Sequence, residues 1–505
     1  MMNFTDKIQL ITPEHDSPYG LIHPYWARKP LNIIESLVCN YSNEGDVVAD
    51  PFMGSGTTVI AALKNDRKAV GSDLSPVSNL LVNVIFSSSK SPSHYKSLLG
   101  VAFDDWCKFA ISLYLLDDGA CVERENYLVD GKYKDGDFSL VFQNAKVKAV
   151  VKNKLKGGIR LLDTVTYQNK INECYLSSPI DFDNISFTEN TRIAVHKGVK
   201  ASDFFTKRNI MFINYVQSFI NNVKSEYEKK FFQLFLSSMI PMLRLSDKKA
   251  SSQWPYWRPK NELTSRNPIV ALNKRYKAFV ELLNWEEQAL SNHDNNARIY
   301  QLAAVDFPKI VNSGVDLIIT DPPYADHAPY MEYSELYWTL ISGQSTKELW
   351  HQEIVKTNAV GREEDSLSYD KRLYDSFFSI ISSLKDNGYF IFFYLDKNIN
   401  HWSVIKKAII DSGCVTEEVI AIPKQRRSMK AVTSPGKTLD GDLIVVCKKV
   451  NCDIRKQKVV DFDDIIKEID GDSYFKKFAL FIERYLNDEI INIPKNKLKD
   501  ISKVL

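Results

Sequence analysis

A strand, a glycine-containing turn and a helix follow one another near the start of the chain, and this succession limits the fold more than any other feature. The strand is GDVVADPF, the turn contains Gly54 and Gly56, and the helix follows in TTVIAALKND. A second strand, KAVGSDL, and a second helix come next; Ser75 is the expected N-cap of that helix and Pro76 its first residue. Strands and helices that alternate in this way predict a parallel sheet.

The same alternation returns in the second half of the chain, from about residue 298. Candidate strands are ARIYQLAAVDF, VDLIIT, YFIFFYL, VTEEVIAI and GDLIVVCKK, and candidate helices are YDSFFSIISSLKDNG and HWSVIKKAIIDSG. The two blocks together contain about seven strands with helices between them. We therefore predict an α/β fold with a Rossmann-like, doubly wound, mostly parallel seven-stranded sheet.

The stretch between the two blocks differs from them in character. Helical segments such as SHYKSLLGVAFDDWCKFAISLYLL accompany short alternating strands such as FSLVFQNAKVKAVV. A connection of this length without structure of its own would be improbable, so we predict a large α+β insertion. The expected division is a first half-domain at 1–87, the insertion at 88–295, a second half-domain at 296–450 and a helical carboxyl-terminal appendage at 451–505.

Composition excludes some partners and leaves others open. Lys and Arg together (65) nearly balance Asp and Glu (63), so the formal charge of +2 predicts no general attraction to polyanions, and any nucleic-acid surface must be local. The N-terminus has no basic segment followed by an apolar run, and no stretch approaches about 18 uninterrupted apolar residues, which predicts a cytoplasmic protein without a membrane partner. Seven cysteines without a CxxC pair predict neither disulfides nor a metal site.

The glycine turn predicts the kind of ligand that the first block binds. Glycines at a strand-to-helix turn let a ligand approach the backbone, and the helix N-terminus offers unpaired N–H groups. The spacing of Gly54 and Gly56 is not GxGxxG, and no GKS or GKT occurs, which favours a nucleoside without phosphates. Asp73 ends the second strand nineteen residues after Gly54, where a carboxylate can reach ribose hydroxyls. Taken alone, Asp73 would equally suit the N-terminal charge of a helix.

Two stretches of the chain carry distinctive motifs. Residues 23–76 contain HPYWARKP, DPFMGSGTT and GSDLSP, and a later stretch reads VDLIITDPPY. Both stretches resemble the amino-methyltransferases that act on DNA. The resemblance implies the fold of class I methyltransferases, S-adenosylmethionine as methyl donor, and transfer to N6 of adenine or N4 of cytosine in a base flipped out of double-stranded DNA. It makes 1–87 the cofactor-binding half, 88–295 the region of target recognition and 296–450 the catalytic half.

The resemblance also assigns cofactor-binding residues. His23, Lys29 and Pro30 would belong to the segment that closes over the methionine end. Asp73 would hold the ribose, and Asp306, in AAVDF, would lie near the adenine. The residues expected to line the methionine and adenosine come from the end of the first strand and the glycine turn: Asp50, Phe52, Gly54, Ser55, Gly56 and Thr57.

The tetrapeptide Asp321, Pro322, Pro323 and Tyr324 is the expected catalytic motif, because its groups suit an exocyclic amine. The lone pair of such an amine is delocalised into the base, so the amine is a weak nucleophile. The Asp321 side chain and the Pro322 carbonyl can each accept one N–H and draw the nitrogen towards tetrahedral geometry. Tyr324 offers a face on which a flipped base can stack. Out of this context, the motif would suit a proline-stiffened turn with a surface tyrosine.

Two basic stretches are the expected DNA-binding surface. The first combines cations for phosphates with aromatic rings for stacking: Lys248, Lys249, Trp254, Tyr256, Trp257, Arg258 and Lys260. The second, in KQRRSMK, is expected beside the catalytic edge, where it would contact a backbone phosphate: Lys424, Arg426 and Arg427.

The residues leave the methylated base open. The order of the segments follows the class that recognises its target between the two halves and mainly methylates adenine, whereas HPYWARKP next to DPFMGSGTT is more like the class of opposite order, which includes cytosine-N4 enzymes. Asp321, where cytosine enzymes more often have Ser, favours adenine N6. We therefore expect a site-specific adenine-N6 methyltransferase of a restriction-modification or phage-defence system, with a nuclease or other defence protein as a candidate partner.

Three alternatives compete with this expectation: a cytosine-N4 methyltransferase, an RNA base methyltransferase and a non-catalytic DNA-binding subunit. The intact DPPY motif and glycine turn argue against the last, and the lack of an RNA-binding module before the turn argues against the second. The sequence indicates neither the recognised DNA site nor the oligomeric state.

Overall fold

The computed structural model of the chain describes most of its length. The described residues are 4–14, 17–25, 28–115, 121–130, 141–151, 154–161, 180–190, 195, 197–247, 262–290, 296–311, 314–324, 329–357, 359–362, 366–423, 439, 441–450, 458–471 and 473–501.

The α-helices of these residues are numbered in chain order. They are α1 (Phe4–Gln9), α2 (Pro18–Leu21), α3 (Leu31–Tyr41), α4 (Thr57–Lys64), α5 (Pro76–Ser88), α6 (Pro92–Tyr114), α7 (Lys207–Asn222), α8 (Glu226–Leu243), α9 (Pro268–Ala289), α10 (Pro308–Val311), α11 (Tyr330–Ser342), α12 (Ser366–Ser382), α13 (Ile399–Asp411), α14 (Phe462–Glu468) and α15 (Tyr474–Asn487). None of the described helices combines the length and the apolar character needed to cross a membrane.

The strands of the described residues form three sheets. They are β1 (Val47–Asp50), β2 (Lys68–Asp73), β3 (Cys121–Asp130), β4 (Val141–Val151), β5 (Lys154–Leu161), β6 (Ser246–Asp247), β7 (Glu262–Arg266), β8 (Ala297–Gln301), β9 (Val315–Thr320), β10 (Leu384–Phe393), β11 (Cys414–Pro423), β12 (Gly441–Lys449), β13 (Val459–Asp461) and β14 (Glu489–Ile491).

Seven strands form the main sheet in the order β8-β2-β1-β9-β10-β12-β11. The first five are parallel to their neighbours, and β12 is antiparallel to both β10 and β11. This arrangement confirms the predicted doubly wound, mostly parallel seven-stranded sheet of class I methyltransferases. The chain leaves β1 towards β2 on one side and returns at β9 on the other, so the ends of β1 and β9 meet at the switch point, where such sheets bind ligands.

The sequence explains how β1 leads into α4. Gly54 and Gly56 have φ angles of 50° and 81°, in the left-handed region that glycine adopts without strain. Gly56 is the N-cap of α4, and a Cβ on it would lie 2.9 Å from Val82 in α5. At the start of α5, the Ser75 side chain accepts the N–H of Ser78, as its predicted N-cap role requires.

A second, antiparallel sheet lies between β2 and β8 along the chain, in the order β5-β4-β3-β7-β6. Helices α6 to α9 accompany it, and the buried Trp106 of α6 packs edge-to-face on Phe219 and Phe232. The buried side chains of these helices continue into the core on one face of the main sheet. The region therefore shares a core with the first half of the chain, and the boundaries at 87 and 295 stay a prediction.

The carboxyl-terminal helices cover the other end of the main sheet. Helix α15 packs along β11 and buries one face, from Phe475 to Leu486, in the core of the second face of the sheet. Beside it, β13 and β14 form a separate parallel pair. The helical character of this tail agrees with the sequence, and the tail supports the edge where β11 and β12 meet.

Gly441, the first residue of β12, is expected to tolerate no side chain. A Cβ there would overlap the ring of Phe475 and would lie 2.5 Å from the carbonyl oxygen of Ile422. We expect Gly441→Ala to lower the free energy of unfolding by about 1–3 kcal/mol, because either α15 or β11 must move.

Gly100→Ala is the matched control for this substitution. Gly100 lies inside α6, and the nearest atom to its added Cβ is 3.9 Å away. Alanine should therefore raise the free energy of unfolding by up to about 1 kcal/mol, through helix propensity alone. Chemical denaturation that gave both variants the same midpoint would contradict this account of Gly441.

Candidate active site

A cleft opens at the carboxyl edge of the main sheet, where β1, β2 and β9 end. It lies at the switch point, the place where sheets of this kind bind ligands. Its wall is formed by the segment before α3, the glycine turn, the residues at and after the ends of β2, β8, β9 and β10, and the start of α11 with residues 352–354.

Asp73 holds the glycine turn with both of its carboxylate oxygens. Oδ2 accepts the backbone N–H of Gly54 at 2.8 Å, and Oδ1 accepts that of Ser75 at 2.8 Å. Burial raises the pKa of Asp73 to about 6, although both hydrogen bonds oppose the rise. Each oxygen keeps a further lone pair, and Asp73 lines the cleft, so it can still accept the proton of a ligand hydroxyl.

Asp50 joins the ends of the two central strands. Its Oδ1 accepts the N–H of Phe52 at 3.1 Å and the hydroxyl of Thr320, the last residue of β9, at 2.7 Å. Burial raises the pKa of Asp50 to about 7, against the effect of these hydrogen bonds. The contact with Thr320 fixes the point from which Asp321 enters the cleft.

Asp321 follows β9 directly and is held at both carboxylate oxygens. The Tyr324 hydroxyl donates to Oδ1 at 2.7 Å, and the Lys29 ammonium lies 3.3 Å from Oδ2. Burial raises the pKa of Asp321, whereas the charge of Lys29 and the hydrogen bond from Tyr324 lower it. The Tyr324 ring packs edge-on against Tyr394, with ring centroids 5.3 Å apart. The carboxylate is thus oriented before any ligand arrives.

The cleft brings together most of the site residues that the sequence predicted. The predicted residues in its wall are Lys29, Asp50, Phe52, Gly54, Ser55, Thr57, Asp73, Asp321 and Pro323. The predicted residues outside the wall are His23, Pro30, Gly56, Asp306, Pro322 and Tyr324. Most of the second group are chain neighbours of wall residues, and Pro30 is buried as the N-cap of α3.

His23 lies behind the cleft, against the helices of the inserted region. Its Nε2 is 2.9 Å from the Ser237 hydroxyl in α8, and its ring meets Tyr337 of α11 edge-on at 5.2 Å. Burial lowers the pKa of His23 to about 3, so the imidazole is neutral at physiological pH. His23 therefore anchors the segment before α3 and is not part of the cleft wall, while its predicted place in the cofactor site stays a prediction.

Asp306 lies in a short 3₁₀ helix after β8, at the rim of the cleft. Its carboxylate pairs with Lys309 at 2.6 Å, and the wall is formed instead by Ala303 and Ala304. The chain thus reaches the cleft where the sequence predicted, while contact of the Asp306 side chain with a ligand stays a prediction.

Two tyrosines of the cleft wall were missed from the sequence. Tyr25 and Tyr330 stack with ring centroids 6.1 Å apart and planes inclined by 19°. A Cβ on Gly54 would lie 2.8 Å from the Tyr25 hydroxyl, so only glycine permits this contact. The signal was weak: Tyr25 lies inside HPYWARKP, but Tyr330 begins α11, whose aromatic residues have the spacing of a helix that packs on a core.

Asp442, the second residue of β12, was also missed. Its Oδ1 lies 2.8 Å from the Lys29 ammonium, which therefore contacts two carboxylates. Nothing in GDLIVVCKK distinguishes this aspartate from any polar residue at the start of a strand.

The predicted DNA-binding side chains lie outside the described residues, in 248–261 and 424–438. They are Lys248, Lys249, Trp254, Tyr256, Trp257, Arg258, Lys260, Lys424, Arg426 and Arg427.

The groups of the cleft fit a nucleoside that carries no phosphates. The two basic side chains of the wall are bonded to other groups of the protein. Arg28 donates to the carbonyl oxygens of Gly20 and His23, and Lys29 contacts Asp321 and Asp442. Asp73 offers acceptor oxygens for hydroxyl groups, and Gly54 allows a ligand to approach the backbone. The stacked tyrosines add aromatic surface suited to a sulfonium cation. These features match S-adenosylmethionine.

Comparison with known proteins gives a family match and several similar sequences. Residues 6–78 match the family model of a DNA methylase, N6_N4_Mtase. The Type II methyltransferase M.MjaII of Methanocaldococcus jannaschii is 22% identical over 342 residues, which cover 62% of this chain and 60% of that protein. The alignment thus covers about three fifths of each protein.

Shorter matches are more similar in sequence. The orphan methyltransferase M.BamHII of Bacillus amyloliquefaciens is 50% identical over 46 residues, which are 9% of this chain and 17% of that protein. The Type II methyltransferase M.HindIII of Haemophilus influenzae is 40% identical over 70 residues, or 14% of this chain and 21% of that protein. The chain therefore spans 60% or less of the length of each of these relatives.

Proposed function

We propose that this chain, whose residues 6–78 belong to the DNA methylase family, transfers a methyl group from S-adenosylmethionine to an exocyclic amine of a base in double-stranded DNA. One observation supports this proposal above the others: Asp321 of the DPPY motif and Asp73 of the first block line the same cleft, at the ends of separate strands. In the proposed site, Asp73 then binds the ribose of the cofactor, and Asp321 binds the target amine beside the same cofactor.

The cofactor supplies, when bound, a methyl group on a positively charged sulfur. In the proposed site, Asp73 accepts the ribose hydroxyls, and the backbone of Gly54 and the side chain of Phe52 border the adenosine and methionine. Asp50, Ser55 and Thr57 support this wall from the glycine-turn side. Tyr25, stacked on Tyr330, lies close against Gly54 and borders the same cleft.

Asp321 makes the target amine a better nucleophile. Its carboxylate accepts one N–H of the amine and the Pro322 carbonyl accepts the other, which turns the nitrogen lone pair towards the methyl group. Tyr324 already donates to Oδ1 of Asp321, and the carboxylate retains further lone pairs for the amine. The methylated amine is a cationic acid and releases its extra proton to water, so the site needs no strong base.

Adenine N6 is the proposed target within this family. Asp321 as the first residue of the motif favours adenine, and the family itself includes enzymes for adenine N6 and cytosine N4. We further propose that residues 88–295 recognise the DNA sequence, that the basic stretches at 248–260 and 424–427 contact the duplex, and that the chain serves a restriction-modification or related defence system. Two relatives that are named Type II methyltransferases, M.MjaII and M.HindIII, support the last of these proposals.

Transfer of label from the cofactor tests this proposal. The purified chain is incubated with methyl-labelled S-adenosylmethionine and with either unmethylated genomic DNA, which contains any short recognition site, or total RNA. The nucleic acid is then digested to nucleosides. We expect label in N6-methyladenine from DNA. Label in N4-methylcytosine would instead establish the alternative base, and label in RNA alone, or in neither polymer, would overturn the proposal.

A further inference from the structure

The ammonium of Lys29 lies in a nest of three oxygen atoms. Asp442 Oδ1 is 2.8 Å away, the Tyr324 hydroxyl 3.2 Å and Asp321 Oδ2 3.3 Å. The Lys29 side chain is only 10% exposed, and its ammonium also lies 4.9 Å from the centre of the Phe393 ring. An ammonium has three N–H donors, so this nest engages all of them with the protein rather than with a ligand.

The contacts fix Asp321 in both position and direction. Oδ2 faces Lys29 and Oδ1 accepts from Tyr324, which itself accepts from Lys29. The three groups form a closed triangle, and Asp442 holds the cation that forms one of its corners. Rotation of the Asp321 carboxylate would break two of these contacts at once.

Within the nest, the charge of Lys29 lowers the pKa of Asp321 and favours the ionised carboxylate, whereas burial and the charge of Asp442 raise that pKa. Among the described residues, the other titratable groups that interact with Asp321 come from three different elements and are not cations: Asp50 from β1, Tyr25 from the segment before α3, and Tyr330 from α11. In the described part of the chain, Lys29 is thus the cation that favours the ionised form of Asp321.

The position of Lys29 in the chain adds a second connection. It lies in the segment before α3, which also contributes Tyr25 and Arg28 to the cleft wall. Asp442 lies on β12, a strand of the opposite half of the sheet. The nest therefore joins the segment beside the predicted methionine end of the cofactor to the catalytic motif.

We propose that Lys29, held by Asp442, is a positioning residue that orients the Asp321 carboxylate and favours its ionised form as the acceptor for the target amine. The inference rests on the proposed function of Asp321 and deepens it. It differs from the role expected from the sequence, in which Lys29 belongs to the cofactor site.

Two substitutions should shift the pH dependence in opposite directions. Lys29→Met removes the cation, so the pKa of Asp321 should rise and the acid limb of the methyl-transfer rate should move to higher pH. Asp442→Asn removes one negative charge but keeps an acceptor oxygen for Lys29, so the acid limb should move to lower pH. We expect kcat of Lys29→Met to fall on the order of 100-fold at neutral pH, because the carboxylate loses its orientation.

Cofactor affinity separates this role from a cofactor-binding one. A positioning residue should leave the Kd for S-adenosylmethionine within about threefold of wild type in Lys29→Met, whereas loss of a direct contact should raise it by about tenfold or more. Lys407→Met is the matched control: Lys407 also pairs with an aspartate, Asp411, but its side chain is 65% exposed on α13. Its kinetics should equal those of the wild type.

A measurement without catalysis keeps the inference separate from the proposed function. Carboxyl-¹³C NMR of aspartate-labelled protein gives the titration of Asp321, whose signal is the one lost in Asp321→Asn. The inference predicts a higher midpoint in Lys29→Met and a lower one in Asp442→Asn than in wild type. If both variants fold and the Asp321 midpoint is unchanged in both, the inference is wrong even if the enzyme is active. If Lys29→Met does not fold, an unchanged Asp321 midpoint in Asp442→Asn is enough to overturn the inference. An inactive wild type would overturn the proposed function and leave this titration valid.

Discussion

Asp321→Ala is expected to reduce methyl transfer by at least about 100-fold, because the target amine loses the acceptor that turns its lone pair towards the cofactor. The side chain contributes no hydrogen bond to the glycine turn, whose carboxylate partner is Asp73. Affinity for S-adenosylmethionine, measured by calorimetry, should therefore stay within about threefold of wild type. Single-turnover transfer to DNA at saturating cofactor gives the rate.

Asp321→Asn is the informative companion to this variant. Its amide oxygen is still an acceptor, but it lacks the charge that pairs with Lys29. We expect it to retain more activity than Asp321→Ala. Equal rates for Asp321→Ala and wild type would show that the amine is not activated by this carboxylate.

Asp73→Ala is expected to weaken the binding of S-adenosylmethionine by about 10- to 100-fold, since it removes charged acceptors for the ribose hydroxyls. It should also loosen the turn, because both oxygens of Asp73 accept backbone N–H groups, from Gly54 and from Ser75. Isothermal calorimetry measures the affinity for S-adenosylmethionine, and thermal unfolding of the same samples measures the loss of stability caused by the loosened turn.

Asp316→Ala provides the control for this loss of stability. Asp316 also lies in a strand of the main sheet and accepts a backbone N–H, that of Val47 at 2.9 Å, but it is not part of the cleft wall. It should lower the unfolding temperature without a change in cofactor affinity. If Asp73→Ala bound the cofactor as tightly as Asp316→Ala, the ribose role of Asp73 would be wrong.

The sequence predicts the sheet well because its signals are local. Most strands of the main sheet contain a short apolar run, and Gly56 and Ser75 mark the starts of two helices. The sheet topology then predicts where the carboxylates at the strand ends lie. Because the strands are parallel, Asp50, Asp73 and Asp321 lie at the same edge of the sheet, whatever the packing of the helices. These residues could be assigned to a site without coordinates.

The remaining part of the site depends on contacts that no local pattern specifies. Lys29 and Asp442 are 413 residues apart, and they meet only because β12 enters the sheet antiparallel beside β10. The stack of Tyr25 on Tyr330 likewise needs the segment before α3 to fold over the glycine turn. His23 likewise has contacts that the motif does not specify: its neutral, buried imidazole lies against Ser237 of α8, and its predicted place in the cofactor site stays a prediction.

The nucleosides of cellular DNA test the central claim most directly. The chain and its Asp321→Ala variant are expressed in a host that lacks adenine and cytosine amino-methyltransferases, and the digested DNA is analysed by mass spectrometry. The account predicts N6-methyladenine in cells with the wild-type chain and none in cells with the variant. The same modified-base content in both cultures, or no modified base in either, would contradict it.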